Sequence, residues 1–102
     1  MTNLNITWSA DHDIMEIDYR TGMYEYEARG FAMHTKVGWV AIVNVYPYKE
    51  DYVPTPLFVG ECKRAASANE AIRKACYSIK QQARKNDDEA FTVAHNIRMA
   101  LK

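Results

Sequence analysis

Two neighbouring segments, Ile14-Met15-Glu16-Ile17-Asp18-Tyr19-Arg20 and Met23-Tyr24-Glu25-Tyr26-Glu27-Ala28-Arg29, alternate apolar and charged side chains, and only Thr21-Gly22 stands between them. A period of two belongs to strands with one buried and one wet face. Thr21-Gly22 is short enough for a two-residue hairpin turn, which would set Arg20 against Met23. Asp18 then faces Glu25, and Glu16 faces Glu27. Like charges directly across a ladder destabilise it by roughly 0.2–1 kcal/mol per pair. This register therefore expects something outside the fold, a cation or a basic partner, to meet an acidic sheet face.

The rest of the chain completes an α+β pattern. Leu4, Ile6 and Trp8 alternate with Asn5 and Thr7 in a short first strand, and Ala10-Asp11-His12-Asp13 has the composition of a turn. Residues 30–33 either end the second hairpin strand or continue it, and His34 to Gly38 turns the chain. Trp39 to Tyr46 is the strongest strand, β-branched and aromatic almost throughout. It is apolar on both faces, which predicts a central position; if the helices cover only one face, Val40 and Ile42 share the outer face with the carboxylates.

Pro47 to Pro56 is a Tyr/Pro loop, and Leu57 to Cys62 a last strand. Ser67-Ala68-Asn69-Glu70 matches a capping box. Behind it Ala68, Ala71, Ile72, Ala75, Cys76, Ile79 and Ala83 follow helical spacing, with Arg73, Lys74, Tyr77, Lys80, Gln81, Arg84 and Lys85 opposite. Asn86-Asp87-Asp88 breaks this helix and caps a second, striped by Ala90, Val93, Ala94, Ile97 and Leu101. The expected fold is one α+β domain over 1–102: an antiparallel sheet of about four to five strands within residues 3–62, packed on one or two C-terminal helices near 67–85 and 88–101.

Thirteen basic and thirteen acidic residues cancel overall but not locally. Residues 1–33 hold six acids against Arg20 and Arg29, whereas 62–85 hold seven bases against Glu70 alone. Two cysteines, Cys62 and Cys76, build no disulfide framework and show no metal-type spacing. No signal-like start and no apolar run of spanning length is present, so a cytoplasmic protein is expected.

Few features point to catalysis. Asp11, His12, Asp13 and Glu16 crowd potential ligands, but their spacing matches no calcium loop and carboxylates along a flat strand diverge, so no metal site is assigned. The three histidines have no identifiable partners, and neither a nucleophile elbow nor a phosphate-cradling loop occurs. No enzyme activity and no cofactor is expected.

Two binding classes remain. Lys63 and Arg64 lead into a helix that carries Arg73, Lys74, Lys80 and Arg84. Strands followed by a helix with the basic start Lys63-Arg64-Ala65-Ala66 loosely resemble the second half of a double-stranded-RNA-binding domain, over about residues 23–85. That resemblance implies recognition by shape and phosphate contacts, and the charge pattern offers these six bases to make them. A strand and the acidic hairpin stand where the family has its leading helix.

The primary expectation is a non-enzymatic protein-binding module. Glu16, Asp18, Glu25 and Glu27 would recognise a partner with a basic surface, and Val40, Ile42, Tyr46 and Tyr48 would supply apolar contact. Such a build suits small phage-encoded inhibitors, anti-CRISPR proteins among them, that occupy a nucleic-acid-handling protein by mimicry. Alternatives are nucleic-acid binding by the basic helix and a homodimer in which the acidic strands of one copy meet the basic helix of another. No membrane partner is expected.

Overall fold

Alternation does build strands here. The computed structural model describes residues 3–20, 26–47, 55–84 and 87–101. β1 (Leu4–Trp8), β2 (Ile14–Arg20), β3 (Tyr26–Thr35), β4 (Gly38–Pro47) and β5 (Phe58–Ala65) form one antiparallel sheet in the order β1-β2-β3-β4-β5. Helices α1 (Ala68–Ala83) and α2 (Asp88–Ala100) follow, so the fold is α+β as expected. α1 packs on β3, β4 and β5, and α2 on α1 and β3. The core fills the space between: Met15, Ile17, Tyr19, Val43 and Val45 from the sheet meet Ile72, Cys76, Ile79, Val93 and Ile97 from the helices. None of the helices among the described residues is long and apolar enough to cross a membrane.

Close approach rests on small residues. A Cβ added to Gly60 of β5 would lie 2.0 Å from the Ala75 carbonyl oxygen and 2.8 Å from Ile79 Cγ1, so α1 sits directly on this glycine. Both helix starts are capped by side chains. Ser67 Oγ accepts from the Glu70 amide at 3.1 Å, and Asp87 Oδ1 accepts from the Ala90 amide at 3.1 Å. The return arm of the first cap goes one residue further than a capping box predicts: Glu70 accepts from the amide of Ala66, not of Ser67.

The hairpin register differs from the expected one. Arg20 pairs with Glu27, Asp18 with Arg29 and Glu16 with Phe31. Opposite charges, not like charges, therefore face each other, and the predicted repulsion is absent. The slip is four residues, an even number, so every side chain keeps the expected face. It lets β3 run on through Phe31, Ala32 and Met33 to Thr35 as one strand, bringing Ile14 opposite Met33. Thr21-Gly22 and Glu25 lie outside the described residues.

Three smaller corrections follow. β4 is second from the edge and β3 is central, so a doubly apolar strand here marks an uncovered face, not a covered one. β5 continues past Cys62 to Ala65. His34 and Thr35 belong to β3, which narrows the following turn to Lys36-Val37.

Candidate functional site

The face of the sheet away from the helices is built by the alternate residues of five strands. Cross-strand pairing aligns Thr7, Glu16, Phe31, Ile42 and Glu61 in one row, and Asn5, Asp18, Arg29, Asn44 and Val59 in the next. Met33 opposite Val40 extends the first row's apolar centre towards one end, and Glu27 opposite Tyr46 lies towards the other. The centre is thus Phe31, Met33, Val40 and Ile42, with Glu16 on one flank and Glu61 on the other. Phe31, Met33 and Val59 are 41%, 38% and 38% exposed although no element covers them among the described residues. A depression of about 580 Å³ opens over β1–β4, walled by Glu16, Asp18, Arg29, Phe31 and Asn44 and floored by the backbone at Ile17 and Gly30.

Charge on this face is graded. Glu27 is buried, with Arg20 Nε 4.0 Å and Arg29 Nη2 3.9 Å from its carboxylate oxygens. Glu16, Asp18 and Glu61 are exposed. Among the described residues, Glu16, Asp18, Glu27 and Glu61 share this face with Arg20 and Arg29, and Lys63 and Arg64 stand at the bulge against Val40. Burial raises the Tyr46 hydroxyl above its ordinary pKa; Glu27 and Asp18 add to the rise and Arg29 opposes it.

Six expected partner-binding residues are brought together here: Glu16, Asp18, Glu27, Val40, Ile42 and Tyr46. Glu25 and Tyr48 lie outside the described residues. Glu27 is a structural member of the face, held between two arginines, and has little side-chain surface left for a partner.

The basic residues run from the β5 edge along α1. Lys63 and Arg64 form a bulge, two residues of β5 against Val40 alone, between the pairs Ala41–Cys62 and Trp39–Ala65. Lys74 Nζ is 3.2 Å from Glu70 and donates to the Arg64 carbonyl at 3.4 Å. Lys80 Nζ lies 3.1 Å from His95 Nδ1 and 5.0 Å above the Phe91 ring, at the junction of the two helices. Arg73 is half-buried with its Nε unbonded, while its carbonyl accepts from Arg98. Arg84 is exposed at the end of α1. Arg64 and Lys74 line one depression, and Lys80 and Arg84 line another.

Two features escaped sequence reasoning. Phe31, Met33 and Val59 join the open face, and their signal was the alternation itself, carried beyond Gly30. The second is a run of rings at one end of the sheet on the helix side. Trp8 and Trp39 meet edge-on at 6.1 Å, His34 stacks on Trp39 at 5.0 Å, and His12, at a φ of 58°, brings its ring to 5.8 Å from Trp8. Trp8 and Trp39 stand three strands apart in the sheet, on β1 and β4, so no local pattern announces their contact. Cys76 is buried in the core, and burial pushes its thiol up to about 12 against the opposing influence of Arg98.

Comparison with protein-family models, with curated proteins and with solved structures finds no match to this chain.

Proposed function

We propose that this chain is a non-enzymatic, cytoplasmic protein-binding module that docks a partner on the helix-free face of its sheet. The observation that carries the reading is the uncovered apolar centre, with Phe31 and Met33 exposed and Val40 and Ile42 half-buried beside them, lying between acidic flanks. An apolar patch rimmed by charge is the usual build of a docking surface. The partner that fits it is a protein presenting an apolar strip between basic side chains, because Glu16 and Asp18 lie on one side and Glu61 on the other. A nucleic-acid-handling protein whose basic cleft is occupied in this way would be inhibited.

The test uses paired variants. Phe31→Asp with Ile42→Asp removes the apolar centre, and Glu16→Lys with Glu61→Lys reverses the flanks; both leave the helix-side core untouched. A protein captured from nuclease-treated lysate by the wild-type chain should be lost with either pair while the thermal midpoint stays within a few degrees. Capture unchanged in both pairs, or capture that disappears on nuclease treatment alone, would overturn the reading. The second outcome would return attention to Lys63, Arg64 and Arg84.

A further inference from the structure

The two edges of the sheet are treated very differently. At β5 the edge carries Glu61, Lys63 and Arg64, bulges at residues 63–64, and has the Val59 carbonyl occupied by Gln82 Nε2 at 2.8 Å. Charge, bulges and side-chain cover are the usual guards against edge-to-edge pairing. From Asn5 to Trp8, β1 has none of these guards among the described residues. Asn5-Ile6-Thr7-Trp8 contains no charge, proline or glycine, and β2 is the strand it pairs with.

Hydrogen-bond phase sharpens the contrast. Asn3 accepts from the Arg20 amide at 3.4 Å, and the Ser9 amide donates to Ile14 at 2.9 Å. Odd-numbered residues of this segment thus turn their backbone groups to β2, and alternation turns those of Ile6 and Trp8 outward. The same two residues carry exposed apolar side chains, at 44% and 40%. They lie on the helix side of the sheet, and neither helix packs extensively on β1.

We infer that this edge pairs antiparallel with the β1 edge of a second copy of the chain, about a twofold axis at Thr7. Ile6 then lies across from Trp8 of the second copy, exchanging both main-chain hydrogen bonds, and Trp8 across from its Ile6. Thr7 faces its own copy on the open side of the sheet, a favourable cross-strand pair. An uncharged strand has nothing to repel its copy. Glu16 and its copy stand three strand spacings apart, about 14 Å, beyond the screening length at physiological salt. The contact is isologous and closes on itself. A two-strand contact of this length falls below the roughly 1,200 Å² of a standard interface, so the dimer is weak, reversible and insensitive to salt. Pairing would join the two open faces into one ten-stranded sheet. The inference does not depend on what docks on that face.

Sedimentation velocity from micromolar to millimolar concentration tests it. The wild-type chain should pass from monomer to dimer at both low and high salt. Ile6→Pro removes an outward amide and an exposed apolar side chain from the β1 edge, and should hold the chain monomeric with an unchanged circular dichroism spectrum. Ile42→Lys, on the open face, should leave the dimer intact. Where Ile6→Pro disturbs folding, register decides instead. Diamide should crosslink Thr7→Cys into a covalent dimer and leave Asn5→Cys monomeric, since Thr7 alone faces its copy closely enough for a disulfide. A wild-type chain monomeric at millimolar concentration, a dimer broken by Ile42→Lys, or equal crosslinking of Asn5→Cys would each overturn the inference.

Discussion

β3 shows the two faces of the sheet most directly. Ala28, Gly30 and Ala32 occupy its helix-side positions, while Phe31 and Met33 point the other way and stay exposed. Small residues inside let α1 and α2 approach; large ones outside keep apolar surface in water at a cost of about 25 cal/mol per Å². β5 repeats the contrast with Gly60 under α1 and Val59 on the open face. Size on these strands is therefore inverted relative to burial. A covered face tolerates no added atom, whereas the open face carries bulk that the fold itself does not use.

The comparison can be broken by substitutions on either side. The largest expected effect is Gly60→Ala, whose Cβ meets the Ala75 carbonyl at 2.0 Å and displaces α1. It should cost roughly 3 kcal/mol or more, with Ile79→Ala at about 2–5 kcal/mol, read from urea midpoints. Next comes Glu27→Lys, which buries a cation between Arg20 and Arg29 and should cost about 2 kcal/mol. In a register that set Glu27 against Glu16, the same change would relieve a repulsion and stabilise, so a raised midpoint would overturn the pairing described above. Phe31→Ser, on the open face, should change stability by no more than about 0.5 kcal/mol while removing partner capture.

Two smaller effects sharpen the helix side. Cys76 should resist iodoacetamide in the native state at neutral pH and react only on unfolding, because its buried thiol stays protonated. Mass spectrometry with and without urea reads this directly. The smallest effect concerns Glu70, whose carboxyl is held below the ordinary range first by the Ala66 amide and then by Lys74. Its support for the start of α1 is present above the ordinary glutamate pKa of about 4.3 and is lost as pH falls through the lower folded value. Glu70→Gln should therefore lower stability slightly at neutral pH, leave it unchanged at low pH, and so flatten the acid limb of a stability–pH curve.

Much of this architecture was legible beforehand, and particular residues say why. Ser67, Asp87 and the alanine-rich stripes announce both helices because caps and helical periodicity are local. Val40 and Ile42 were readable as outer-face residues because β4 is apolar on both sides while the helices cover one. The hairpin register was not legible: Thr21-Gly22 offers a turn, but the pairing observed goes with β3 continuing to Thr35 and sets Arg29 opposite Asp18. Nor was the seat of Lys80 legible, since His95 and Phe91 of α2 set it.

By itself the sequence determined which residues are strand or helix and which side of a strand each side chain takes, because alternation, capping and helical spacing act over a few residues. Tertiary structure alone decided what faces what: Asp18 against Arg29, Trp8 against Trp39, α1 upon Gly60, and Phe31 with nothing above it. Those relations depend on strand order and on where the helices stop. Both are settled by packing between segments distant along the chain, where a shift of two or four residues leaves every local pattern unchanged.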